Sequence, residues 1–259
     1  MPFTLAHPAA VLPLRHLRYL RTAPLVIGAL VPDTLYYVPH SFEEHFRRVD
    51  THSLAGSYTL DLPLGVALLV VAVLLREPLT VLLPARARWL CLHALEPFQR
   101  SAREWLLAPP AILIGIWTHL LWDSFTHGDG WAVQHIALLG ETVTIGSYSG
   151  QVSHLLQYLS SVVGLLIVAV WYARLPTPQT AHSAEAVRRA HAGPGLLLVI
   201  AAALLIGGVE AQRYYVHSQG AIYRTLDELL TRSLAWFLLL EVCAGTIVTL
   251  EHRAGRHPP

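Results

Sequence analysis

Lysine is absent from this 259-residue chain, so all 18 basic residues are arginine. Charge of either sign is scarce, at 14% of residues against roughly a quarter in an ordinary soluble domain. The 17 acidic residues nearly cancel the arginines, and a net charge of +1 excludes the electrostatic footprint of a nucleic-acid binder. Cysteine is almost missing. Cys91 and Cys243 are too few and too isolated for a disulfide scaffold or a Cys-rich zinc site. No internal repeat is visible, and no small-residue cleavage site follows the Arg15/Arg18/Arg21 cluster as a signal peptide requires. What the chain has is apolar residues, 54% of the total, and a mean hydropathy of +0.46. That composition excludes disorder, collagen and coiled coil. It also has 15 histidines, an unusual surplus for a membrane-like composition and the place to look for function.

A bilayer core takes about 20 apolar residues per helix. Five runs approach that length: 60–75, 109–125, 155–172, 195–209 and 234–250. Each must be helical, because an open strand in lipid leaves backbone groups unsatisfied. The run at 195–209 is short and needs flanking residues to complete a span. A sixth apolar stretch, 23–38, is interrupted by Pro32-Asp33. Pro32 biases Val31 away from the helical region, and a carboxylate in mid-stretch is costly without a partner. The expectation is an all-α integral membrane protein with about five transmembrane helices plus a short N-terminal or re-entrant helix. It forms a single membrane-embedded domain over 1–259. Residues 1–58 supply N-terminal ligands, 59–173 the core spans, 174–194 a polar linker, 195–250 two further spans and 251–259 a polar tail. Residues 76–107 form a polar connection with one amphipathic surface helix.

The arginines give an orientation. If the first span enters from outside, ten arginines of the 76–107 loop, the 173–194 loop and the C-terminus lie inside, and the arginine-free loop 126–153 lies outside. The five arginines of the N-terminal region pull the other way. The expected location is the cytoplasmic membrane, with the N-terminal region on the extracytoplasmic face.

This topology gathers polar residues on one membrane face. His7, Asp33 and His52 precede the first span, the second returns to that face with His119, Asp123 and His127, and the third starts there beside His154. His119 and Asp123 are four apart, so on a helix they share one face and can ligate one metal. Imidazole and carboxylate are good zinc ligands. Plainer readings stand beside these. Asp123 can pair with an arginine, His119 can be a satisfied core histidine, Asp33 a turn residue, and His52-Ser53 a helix cap. His16, His40, His45 and His135 read as surface or interfacial. His93, His182, His191, His252 and His257 fall on the arginine-rich face. Glu241, midway along the fifth span, is either functional or bonded to a neighbouring helix.

The opening MPFTLAHPAAVLPL, GALVPD at 28–33, HSLAG at 52–56, DLPLG at 61–65, THLLWDSFTHGDG at 118–130 and SHLLQYLSSVVGLL at 153–166 resemble the DUF4184 family of bacterial membrane proteins. That grouping is similar to the membrane-bound metal-dependent hydrolases and, distantly, to zinc-dependent phospholipase C and the P1-type nucleases. The resemblance implies a phospholipase C/P1 nuclease-like helical metal site. Its His-x-x-x-Asp pair falls on His119 and Asp123, its Pro-Asp and following His on Asp33 and His52, and its early His on His7. The second His-x-x-x-Glu motif of the soluble enzymes has as its nearest counterpart His154 with Gln157, which differs in residue type and spacing. The N-terminal Trp ligand of those enzymes is missing, so one or two ions, zinc by ligand type, are expected.

Together these features point to a metal-dependent hydrolase acting at the membrane face on a phosphoester in a lipid or lipid-linked substrate, with the bilayer as its surroundings and no nucleic-acid partner. His7, Asp33, His52, His119 and Asp123 would hold metal, His127 or His154 would be a further ligand or the general base, and Thr118, Ser124 and Gln157 would support them. The alternatives are a non-catalytic protein with a structural metal and a transporter. The latter lacks inverted repeats and a continuous polar path.

Overall fold

The computed structural model describes residues 3–17, 19–38, 50–146, 148–175, 183–217 and 222–254. Their helices are α1 (Pro8–Val11), α2 (Thr22–Leu30), α3 (Leu54–Leu74), α4 (Ala85–Arg100), α5 (Ala102–Thr126), α6 (Trp131–His135), α7 (Ala137–Gly140), α8 (Val152–Arg174), α9 (Ser183–His217) and α10 (Ile222–Ala254). Five stretches are long and apolar enough to cross a membrane: Leu54–Leu74, Ala102–Thr126, Val152–Arg174, Gly193–Val216 and Glu228–Glu251. The chain is a helical membrane protein with the five expected spans. Each span is longer than its apolar run, because the helix continues through polar residues at its ends. The short run at 195–209 thereby becomes a stretch of 24 residues. The segment expected as a linker contributes to a helix from Ser183 onward. A two-stranded antiparallel hairpin, β1 (Thr142–Ile145) with β2 (Tyr148–Gln151), is the departure from all-helical structure. Gly146 supplies the positive φ (61°) that its tight turn requires.

The described residues form two compact units. The first comprises those of 1–34, 45–70 and 100–176. In it α2 crosses α5 with backbones nearly touching. A Cβ on Gly28 would sit on the Ile112 carbonyl oxygen, and one on Gly115 on the Leu25 carbonyl oxygen. Small residues at a crossing let membrane helices approach closely. Val11, Leu25, Ala29 and Ala111 fill the surrounding core. Arg21 ties the ends of the two helices by a fork onto Glu104, Nε at 2.8 Å and one terminal nitrogen at 2.7 Å. At nine residues α2 is about 14 Å long, too short for a bilayer core. It continues into a 3-10 turn, Val31–Tyr37, whose buried first three residues include Asp33. The stretch interrupted by Pro32-Asp33 is therefore a short packed helix, as expected. The N-terminal turn is fastened to α8, where the Phe3 N–H donates to Ser161 Oγ at 2.9 Å.

The second unit comprises the described residues of 35–44, 71–99 and 177–259. There α9 and α10 pack along each other around Val81, Leu82 and Val199. Arg232 is buried between Glu228 (2.7 Å) and the Val38 carbonyl (3.0 Å), and Trp236 Nε1 donates to Glu210. The expected amphipathic helix is α4, tethered by Arg88 to Glu77.

Candidate metal centre

Three segments of the first unit converge. The 3-10 turn after α2 brings Asp33, the turn before α3 brings His52, and α5 brings His119 and Asp123 on one face one turn apart. Ser53 caps α3 by accepting the Gly56 N–H at 3.0 Å, which fixes the backbone beside His52. The cap and the candidate ligand are thus neighbouring residues.

The four side chains place one ligand atom each within 4.8 Å of all the others. His119 Nε2 lies 3.2 Å from Asp123 Oδ2 and 3.5 Å from Asp33 Oδ1, and His52 Nε2 lies 3.5 and 3.4 Å from the same two oxygens. Ligand atoms 2.0–2.2 Å from one tetrahedral zinc ion would stand about 3.3–3.6 Å apart, so these separations suit a shared cation. The burial is deep: Asp33 is 0% exposed and His119 1%. His119 Nε2, Asp33 Oδ1 and both Asp123 oxygens are buried without a hydrogen-bond partner among the described residues. Orphaned buried donors and acceptors of this kind are costly, and a cation satisfies them. The donor set fits a divalent metal.

The outward-turned ligand atoms are satisfied by protein. His119 Nδ1 bonds the Ala29 carbonyl at 2.8 Å, His52 Nδ1 pairs with Thr51 Oγ1 at 3.0 Å, and Asp33 Oδ2 accepts from Thr4 Oγ1 at 2.6 Å. Such contacts orient metal ligands and leave Nε2 of each imidazole for the ion. Burial raises the Asp33 carboxyl, but His119 and His52 outweigh it and hold the group well below the usual carboxylate range.

His7 joins the group from the N-terminal turn. Its ring stacks on His119 with centroids 3.7 Å apart, and its Nε2 lies 3.6 Å from Asp123 Oδ1. Burial first, and then His119 beside it, push its pKa down to about 4, so the ring is neutral and able to ligate. His127 ends α5 with Nδ1 3.6 Å from Asp123 Oδ2, and burial lowers its pKa too. Its side chain is 25% exposed and that of His52 24%, so water reaches the cluster at these two.

The other expected site residues are not members of the four-atom group. His154 is exposed on α8. Thr118 and Ser124 donate to the Gly115 and Leu121 carbonyls of their own helix, both at 2.7 Å, and the Gln157 carbonyl takes Ser160 and Ser161. A helical hydroxyl finds its nearest acceptor one turn back. The support expected from Thr118 and Ser124 is given instead by Ala29, Thr51 and Thr4. Thr4 stands three residues before His7 in the opening motif, which was the one sequence signal available for it. Asp61, also missed, is a buried carboxylate inside α3. Its position in an apolar span was the signal. Glu241 is buried in the second unit. His40, His45, His182 and His257 lie outside the described residues.

Five apolar spans and a buried two-His, two-Asp cluster define a multi-pass membrane protein with a candidate metal site. The chain belongs to the DUF4184 family, a domain of unknown function, whose family model matches residues 1–250. No curated protein and no solved structure matches it.

Proposed function

We propose that this protein is a membrane-bound, metal-dependent hydrolase whose centre works at the face of a bacterial cytoplasmic membrane, on the extracytoplasmic side. One observation carries the reading: Asp33, His52, His119 and Asp123 converge from three segments at metal-ligand separations, and among the described residues no hydrogen bond takes His119 Nε2, Asp33 Oδ1 or either Asp123 oxygen. Two carboxylates and two neutral imidazoles favour zinc or a similar divalent ion. Zinc in such a setting lowers the pKa of water to roughly 7 and polarises a phosphoryl or carbonyl oxygen. His7 Nε2 and Asp123 Oδ1, 3.6 Å apart, are spaced to share a second ion. His127, near Asp123 and reached by water, is better placed than the exposed His154 to exchange a proton with substrate or solvent. A phosphoester in a lipid or lipid-linked substrate suits a centre beside membrane spans.

A structural metal is the second reading. Four protein donors suffice to close a tetrahedral site, and the four-atom group supplies them.

Elemental mass spectrometry on detergent-purified wild type and on His119→Ala/Asp123→Ala tests the centre. One or two zinc or similar ions per chain are expected in the wild type and none in the variant. A folded wild type that stays empty after zinc is added back removes the reading. With metal present, turnover of phosphoester or lipid substrates separates the hydrolase from the structural site.

A further inference from the structure

The DLPLG stretch carries an acid that the four-atom group does not use. Asp61 closes a π-helical turn, Ser57–Asp61, inside α3. It is 0% exposed, and neither carboxylate oxygen has a hydrogen-bond partner among the described residues. Gly65, one turn further along α3 and on the same face, packs against Ile112 of α5 and Val31, two residues before Asp33. The π turn itself packs on α5, the helix that carries His119 and Asp123.

An uncompensated carboxylate within a membrane span is expensive. The imidazoles of the cluster have no N–H to spare at Nδ1, since His119 Nδ1 is taken by the Ala29 carbonyl and His52 Nδ1 by Thr51. Their Nε2 atoms converge on Asp33 and Asp123. A buried carboxylate with no protein donor among the described residues is left to water. The π turn is a second pointer: it inserts a residue into the helical register, and such bulges recur at functional sites.

We propose that Asp61 is a positioning residue of the metal centre: its carboxylate accepts hydrogen bonds from water held beside the cation and strengthens the cation's binding. This rests on the metal-centre reading above. Asp33 and Asp123 together offset the charge of one divalent ion. Asp61 adds a third negative charge that draws a cation in and orders the water near it. Loss of an outer partner of this kind costs about 10–100-fold in metal affinity.

Cobalt(II) titration of the purified protein in detergent, followed by visible absorption, is the test. Asp61→Asn preserves shape and removes charge. It is expected to bind the same number of ions as wild type, about 10–100-fold more weakly and with a shifted visible band. Asp61→Glu is expected to recover part of the affinity. Asp61→Ser is read in the same way if the Asn variant does not purify as a folded, monodisperse protein. Unchanged affinity and an unchanged spectrum in the Asn or Ser variant overturn the proposal and leave the centre standing. A wild type that binds no cobalt overturns both.

Discussion

His7 carries a pH signature. Its pKa is pushed from 6.5 to about 4 by burial and by His119, so between these values the unfolded chain binds a proton that the folded chain refuses. Stability therefore rises with pH across that window. The metal-free protein is expected to lose stability as pH falls from 6.5 toward 4. The Asp33 pKa is lowered as well, so its contribution also falls with pH, but only below the ordinary carboxylate range and outside this window. Melting temperatures of chelated wild type and His7→Gln, read across the range, check this. The variant should show a flatter pH dependence, and parallel curves would refute the assignment. The His119/Asp123 pair was legible from its spacing alone, because four residues on a helix return to the same face. Thr4 and the Ala29 carbonyl were not, because the ligands they hold lie 29 and 90 residues away in the chain.

The crossing of α2 and α5 is what brings Asp33 to His119. Gly28 and Gly115 let the two backbones meet, and the Ala29 carbonyl then reaches His119 Nδ1. Alanine at either glycine must push backbone against backbone, and overpacking of this kind costs about 1–3 kcal/mol. Gly28→Ala and Gly115→Ala are each expected to lower the melting temperature and weaken metal retention. Thermal denaturation and metal analysis on the same preparations read both effects. A variant with wild-type values in both would show that the helices have room to spare. The helices themselves were legible as apolar runs. Their ends were not, since Leu54–Leu74 starts six residues before the expected 60 at the Ser53 cap and passes through a π turn.

The intact molecule links metal, fold and membrane. A ligand that binds only the native state stabilises it by RT ln(1 + [L]/Kd), about 2.7 kcal/mol at a hundredfold excess over Kd. Chelation is therefore expected to lower the melting temperature of the wild type, and added zinc to restore it, with neither effect in His119→Ala/Asp123→Ala. A melting curve indifferent to chelator would argue that no ion is bound. Orientation is tested by Thr144→Cys in a Cys91→Ser/Cys243→Ser background. Thr144 lies in β1, in the loop proposed to face outward. A membrane-impermeant maleimide should label it in intact cells, whereas labelling only after lysis would reverse the orientation.

Membrane residence and helical class follow from composition and from runs of apolar residues, because lipid leaves a backbone no other way to satisfy its hydrogen bonds over such lengths. The His-x-x-x-Asp stripe follows from helical periodicity. Which distant residues meet it does not. Asp33 and His52 lie 86 and 67 residues before His119 in the chain. Only the glycine-lined crossing and the capped start of α3 set them at 3.5 Å from His119 Nε2 and from Asp123 Oδ2, respectively. Contact across such separations depends on packing between helices, which no local pattern encodes. The same packing buries Asp61 without a hydrogen-bond partner among the described residues, a fact that residue type and position alone do not contain.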